Sequence, residues 1–461
     1  MSTAIRNNHD ITKMVLKLSM PAILAEISSV VMQYIDAAMV GSLGASATAS
    51  IGIVSSSTWL IGGVCMSAAT GFSVQVSQLI GAGRQEEARN VLRQSLIVTI
   101  LISLVLAAAG IAISSSLPAW LGGVPEIHEG ASLYFLIYAC TLPIVQLRYL
   151  SGSMLQCSGD MRTPSILNTI LCGLDVVFNG LLIFPARQLS VMGISLSVPG
   201  AGLGVAGAAL GTSFAEVVVA VLMLWRVCIH SEALHITGKG SWKLRANCMR
   251  TAAYISIPMA FEHGIMSGAQ VMSTRIVAPL GTAAVAANSL AVTAESLCYM
   301  PGYGVSAAAT TLVGQSIGAG NLQLTRKYAR RSVLLGTMIM TCMGALMFIV
   351  APAAFAMLTP DKAVQALGVR VLRIEMFAEP FFAISIVTAG ALRGAGDTLI
   401  PSILNLLSMW GIRITAAALL APRLGLVGVW IAMCGELCIR GILFLIRLLR
   451  ERWLKKGSLV G

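Results

Sequence analysis

This chain is short of charge. Only 11% of its 461 residues are Asp, Glu, Lys or Arg, while 56% are hydrophobic; soluble domains carry about 25% charged residues. That balance excludes a soluble globular domain and indicates a polytopic membrane protein. The ten cysteines include no CxxC pair and mostly lie inside apolar runs (Cys65, Cys140, Cys172, Cys298, Cys342), so they read as reduced packing residues. No HExxH occurs, the five histidines (His9, His128, His230, His235, His263) are scattered, and no GxxxxGK[ST] is present. Those absences remove a zinc peptidase and ATP-driven pumping by this chain alone. Asp36 and Asp175 have no flanking motif for aspartyl chemistry, so no enzyme is expected. The polar start, "MSTAIRNNHDITKM", has no cleavable signal pattern, and the first helix is expected to remain in the product.

Long apolar runs are there instead. Twelve are long enough to cross a bilayer, at 14–40, 47–78, 92–117, 131–157, 164–184, 201–228, 251–278, 284–313, 332–358, 364–392, 400–421 and 425–448. The second and eighth are long and rich in Gly and Ser, so tilt or irregular helix is expected there. Their connections alternate in charge. One set is basic ("GRQEEARNVLR", "GDMRTP", "KGSWKLRANCMR", "RKYARR", "LRGAGD", the tail "RLLRERWLKK", and the N-terminal Arg6, Lys13 and Lys17), and the other is poor in Lys and Arg. The basic side faces the cytoplasm by the positive-inside rule, which puts both termini inside and the chain in the inner membrane as a multi-pass protein. The +12 net charge is therefore an orientation signal, with the lipid bilayer and not nucleic acid as the partner.

The chain is written twice. "LKLSMPAI" (16–23) returns as "AYISIPMA" (253–260), "QLIGAGRQEEARNVLRQS" (78–95) as "QSIGAGNLQLTRKYARRS" (315–332), and "LQCSGDMRTPSILN" (155–168) as "LRGAGDTLIPSILN" (392–405). All three pairs share an offset of 237 residues; an insertion near 185–200 then breaks the register. Six spans per unit return the chain to the same side, so the halves are parallel repeats around a shared cavity, as in transporters that work by alternating access. The expected fold is an all-α integral membrane protein with twelve transmembrane helices in two pseudo-symmetric six-helix bundles. Residues 1–228 form the first bundle, 229–250 a cytoplasmic linker, and 251–461 the second bundle with its basic tail. No dimer motif marks the apolar surface, and a monomer is expected.

Acids inside apolar runs are costly and read as functional. Asp36 ends the first run, with Gln33 one turn earlier on the same face. In the fifth run, Asn168, Cys172, Asp175 and Asn179 fall at i, i+4, i+7 and i+11, one polar stripe on an otherwise apolar helix. Two carboxylates and two amides offer oxygen ligands for Na⁺ or a place for a shared proton. The repeat partners of Asp36, Asp175 and Asn179 are Ser273, Ile412 and Ala416, so the cluster belongs to one half, as a coupling site would.

The second half has its own acid, Glu262, whose repeat partner is Ala25; a competing reading pairs Glu262 with Arg275 or Arg413. Glu295 shares a helical face with Tyr299 and Tyr303, suited to lining a cavity. Glu436 and Arg440, at i and i+4, pair with each other. The methionines Met39, Met259, Met266, Met272 and Met300 suit an adaptable cavity lining or simple packing. Glu26, Glu216, Glu375 and Glu379 have no assigned place.

"MPAILAEISSVVMQYIDAAMVGSLG", the twin "GAG" turns, "GDMRTP"/"GDTLIP", "NGLLIF…GLGVAGAALGT" and "LLSMWGIRI" follow one another in an order and spacing that resembles the multidrug and toxic compound extrusion (MATE) transporters over nearly the whole chain. The resemblance implies export of organic compounds, often cationic and amphipathic, driven by entry of Na⁺ or H⁺. It implies that Asp36 is the first-helix acid of one branch, Pro21 its bending proline, and Thr212 a matching sixth-helix hydroxyl. In that branch the fifth helix carries Asn and then Asp four residues later, whereas this chain has Asp175 and then Asn179. Glu262 matches a seventh-helix Glu implicated in cation or substrate binding. The rival reading is a flippase for a lipid-linked precursor, which would be expected to carry several cationic residues facing its cavity.

Overall fold

The computed structural model describes residues 8–191, 194–236, 240–456 and 458–459. Arg6 and the rest of the seven-residue polar start lie outside the described residues. Twelve crossing segments follow one another as the sequence leads one to expect. The first half contains α1 (Asn8–Gly41), α2 (Ala45–Gly81), α3 (Gln85–Ile113), a short α4 (Leu117–Trp120), α5 (Pro125–Ser158), α6 (Arg162–Leu182) and α7 (Gly204–Trp225). The second contains α8 (Ala246–Val277), α9 (Thr282–Gly318), α10 (Leu322–Leu358), α11 (Lys362–Glu375), α12 (Glu379–Gly394), α13 (Leu399–Leu406), α14 (Thr415–Leu424) and α15 (Leu426–Leu449). Among the described residues nine helical segments combine the length and apolarity to cross a membrane. The seventh and eighth crossings are more polar, and the tenth is broken.

Three local features depart from the sequence reading. The insertion near 185–200 is an antiparallel hairpin, β1 (Pro185–Val191) and β2 (Ile194–Ala201), in an otherwise helical chain. The expected span 364–392 is two helices separated by Met376–Ala378. Pro380, second residue of α12, has no N–H to donate to the preceding turn, which ends the helix there. The eleventh crossing is π-helical over Leu407–Ile414, between α13 and α14, whereas its repeat counterpart in α6 is regular. The long Gly/Ser-rich α2 and α9, where tilt or irregular helix was expected, are continuous helices of 37 residues each.

The linker between halves is held rather than free. Arg89 of α3 donates to the Glu232 and Ala233 carbonyls, and Gln94 accepts from the Arg245 backbone N–H at 2.8 Å. The basic tail is anchored too. Trp453 and Leu454 pack with Ile11 and Val15 of α1 in the same core as α9, α10, α12 and α15.

The halves meet where α2 crosses α9, and the contact obeys the repeat. Gly81 lies against the Gln315 carbonyl and Gly318 against the Gln78 carbonyl, approaches that a Cβ would block. Gln78 Nε2 donates to the Gly394 carbonyl at 3.1 Å, and Gln315 Nε2 donates to the Cys157 carbonyl at 3.0 Å. Each of these pairs maps onto the other by the 237-residue offset. The following Gly83 and Gly320, at φ +76° and +70°, turn the chain out of the crossing in a conformation that favours glycine. Burial follows the same geometry. Gly63–Leu79 of α2 and Pro301–Ile317 of α9 are largely buried, while the opposite ends of both helices are largely exposed or half-buried. The halves are therefore closed at the end that carries the termini, while towards the other end α2 and α9 are more exposed and Tyr34 of α1 still donates to the Thr293 carbonyl of α9 at 2.7 Å.

A side chain at the crossing forces the helices apart, and overpacking costs about 1–3 kcal/mol. Gly318→Leu should lower the melting temperature of the detergent-purified protein by several degrees. Gly41→Ala, where a Cβ meets open space, should leave it unchanged.

Candidate functional site

Asp36 stands one and a half turns before the end of α1, facing α6. There Asn179 joins two acids: its Nδ2 donates to Asp36 Oδ1 at 3.1 Å and to Asp175 Oδ2 at 3.0 Å. Asp175 and Asn179 are buried. The spacing of four residues puts them one above the other on α6. Thr212 of α7 sets its hydroxyl beside Asp175, and the Asp36 carboxyl faces the same group. Tyr134 of α5, which the sequence did not single out, lies within electrostatic reach of both acids. Gly211 makes the approach of α7 possible, because a Cβ there would collide with Asn179 Oδ1 and lie 2.9 Å from its backbone N.

Two details differ from the sequence reading. Asn179 turns its N–H groups, not its oxygen, to the carboxylates; its Oδ1 has no hydrogen-bond partner and rests against Gly211. Asp175 Oδ1 also lacks a hydrogen-bond partner among the described residues. The polar stripe of α6 also divides. Asn168 accepts from Arg148 at 3.5 Å, and Arg148 is paired with Glu216 of α7, so this end belongs to a structural ion pair. Among the described residues Cys172 bonds only back to the Asn168 carbonyl, and Gln33 is exposed. Pro21 sits inside α1, which remains helical through it from Asn8 to Gly41.

In the second half, Glu262 of α8 faces the eleventh crossing. Its Oε2 accepts from Ser402 Oγ at 2.7 Å and its Oε1 from Asn405 Nδ2 at 2.6 Å, both in α13. Among the described residues neither Arg275 nor Arg413 forms an ion pair with Glu262; Arg413 instead pairs with Glu436 at 3.1 Å. Ser402 and Asn405 are the repeat mates of Ser165 and Asn168, polar positions present in both halves but joined to an acid on α8 only in the second.

Glu295 of α9 is buried in a separate group. Arg413 and Arg440 act on it electrostatically, and Glu436 pairs with both arginines. Glu375 and Glu379, either side of the break between α11 and α12, complete the group. Both are fully buried, and their carboxyl oxygens have no hydrogen-bond partner. Four carboxyl groups against two guanidinium groups leave two without a counter-charge. The Glu-x-x-x-Glu-Pro pattern was visible in the sequence, but helical spacing within one run does not show what faces it. Tyr299 stacks near Tyr303 and Phe382, with ring centroids 6.1 and 5.4 Å apart, and Arg440 lies over the Phe382 ring. Met259 is core, packed with Val74 and Ile255, while Met266 and Met272 pack on Ala269 and Met409.

Comparison with known proteins places this geometry in context. The family profile described as MatE matches residues 21–181 and 258–419, once in each half. The probable multidrug resistance protein NorM of Thermotoga maritima is 26% identical over 452 residues, covering 98% of this chain and 95% of that protein. That of Xanthomonas axonopodis pv. citri is 29% identical over 445 residues, covering 93% and 92%. Among solved structures, an outward-facing multidrug resistance MATE family transporter of the MOP superfamily superposes with a TM-score of 0.89 at 20% identity, over 97% of each chain. A MOP superfamily transporter from Pyrococcus furiosus gives 0.88 at 20% identity, again over 97% of each. At those identities the structures speak for the fold.

Removing the shared donor tests the first-half cluster. Asn179→Ala leaves two carboxylates without their common partner, at a cost of about 1–3 kcal/mol. Transport should fall at least tenfold, and the melting temperature should drop. Gly211→Ala should reproduce the loss of transport by displacing the same amide. Gly173→Ala, in open space on α6, should not.

Proposed function

Because the chain belongs to the MatE family of transporters, we propose that it is a secondary active antiporter that exports organic, cationic or amphipathic compounds, drugs or a natural product, in exchange for Na⁺ or H⁺. The relatives named for multidrug resistance support the substrate class. The observation that carries the coupling is the single Asn179 amide bridging Asp36 and Asp175 between α1 and α6. A cation or proton arriving there removes the negative charge that the amide now holds. That loosens α1 from α6, and Pro21 gives α1 a place to bend because its ring removes one backbone hydrogen bond. Thr212 is the hydroxyl that receives the rearranged Asp175. Glu262, Glu295 and Tyr299 are the second-half contacts for cation or substrate.

The way the halves meet supports alternating access. In the orientation given by the basic connections, both termini are cytoplasmic in the inner membrane, and the conformation described here is closed on the cytoplasmic side. Opening that side requires the crossing of α2 and α9 to separate. The protein acts as a monomer, without an enzymatic step and without nucleic acid. A flippase for a lipid-linked precursor would present free cations to its cavity, whereas Arg148, Arg413 and Arg440 are each held by a glutamate within the bundles.

Efflux of ethidium from cells tests the reading. Wild type should export it and Asp36→Asn, at matched expression, should not. Equal export by the variant would make Asp36 structural. For the second half, Glu262→Gln should raise the apparent KM for a cationic substrate several-fold while leaving the maximal rate within about twofold, the signature of an interaction made in binding rather than in the coupled step.

A further inference from the structure

A groove of about 700 Å³ runs between α1 and α6 at the end that carries the termini, outside the sites described above. Its walls are apolar and half-exposed, formed by Met20 and Leu24 on α1 and by Ile166 and Ile170 on α6. Its mouth is ringed by Lys13, Lys17 and Arg162. Among the described residues none of the three cations is paired with an acid. Asp160, two residues before Arg162, is occupied by Thr163 and Arg226. From Lys13 to Leu24 the groove follows eleven residues of helix, about 16 Å at 1.5 Å per residue. That is close to half of the roughly 30 Å hydrocarbon core of a bilayer, the depth of one leaflet.

The repeat supplies an internal comparison. The positions related to Lys13, Lys17 and Arg162 are Arg250, Tyr254 and Leu399, one cation in place of three. The positive-inside rule accounts for basic residues on this side of both halves. It does not account for three of them around the mouth of an apolar groove in one half only.

We propose that this groove binds one anionic phospholipid from the leaflet bordering the termini. The phosphate is held by Lys13, Lys17 and Arg162, and an acyl chain lies along Met20, Leu24, Ile166 and Ile170. Basic pockets between transmembrane helices recognise acidic headgroups in this way, with each Lys or Arg adding to the attraction. Pro21 forms part of the wall, so the bound chain touches α1 where its backbone hydrogen bonding is interrupted, on the same helix pair that carries Asp36, Asp175 and Asn179.

The test is to titrate the full-length, detergent-purified protein with phosphatidylglycerol or phosphatidylcholine and count retained lipid by native mass spectrometry. Wild type should retain one phosphatidylglycerol at concentrations at least tenfold below those needed for phosphatidylcholine. Lys13→Gln with Lys17→Gln and Arg162→Gln should weaken phosphatidylglycerol retention on the order of 100-fold. Ile166→Trp should weaken it with all three cations in place, because it fills the groove. The charge-retaining triple Lys13→Arg, Lys17→Arg and Arg162→Lys should bind within about threefold of wild type, which separates loss of the site from loss of the fold. Lys243→Gln with Arg250→Gln, elsewhere on the same side, should have no effect. Equal retention of the two lipids by wild type, unchanged binding in the glutamine triple variant, or unchanged binding in Ile166→Trp would each overturn the proposal. Displacement of the lipid by millimolar inorganic phosphate would overturn it in favour of a free-phosphate site.

Discussion

The contact that the rest of the molecule depends on is the crossing of α2 and α9, where two glycines let backbones touch and two glutamines bind the opposite half. Helices in a bilayer gain little from apolar burial against one another, so close packing and interhelical hydrogen bonds must hold them. Here both act at one place and under one pseudo-symmetry, Gly81 with Gln315 and Gly318 with Gln78. Their side-chain amides reach the Gly394 and Cys157 carbonyls, which would otherwise stay unpaired at helix ends. Because the crossing lies near one end of two long helices, closure there leaves the other ends more exposed. A transporter that alternates between two sides has to break this contact and make another.

Symmetry governs the frame and is abandoned at the polar groups. In the first half two acids share one amide between α1 and α6, and a separate pair, Arg148 with Glu216, fixes α5 to α7. In the second half the acid on α8 is held by a serine and an asparagine. A larger group of four glutamates and two arginines surrounds the break between α11 and α12. The π-helical turn at Leu407–Ile414 carries Arg413 into that group. Two similar scaffolds therefore carry different charge arrangements, as expected if one handles the coupling ion and the other the solute.

Much of this was legible in the residues. The 237-residue offset relates the two halves, and hydropathy places the twelve crossings. Helical spacing aligns Asp175 with Asn179, and the missing repeat partners mark Asp36, Asp175 and Glu262 as special. What the sequence left hidden has a common physical origin: partners across helices depend on which faces meet. Periodicity therefore found the stripe on α6 but not that Asn168 turns to Arg148, and the repeat marked Glu262 without its partners Ser402 and Asn405. Tyr134, Glu375 and Glu379 matter through neighbours on other helices. The break before Glu379 had a local signal in Pro380. The hairpin at Pro185–Ala201 was visible only as an insertion.

The central claim is that negative charge at Asp36 and Asp175 couples solute movement to a cation. Proteoliposomes carrying an imposed pH or Na⁺ gradient, with a fluorescent organic cation on one side, measure it most directly. The account predicts that one of the two gradients drives the solute beyond equilibrium, and that collapsing that gradient lets it run back. Solute that only equilibrates, whichever gradient is imposed, would contradict it.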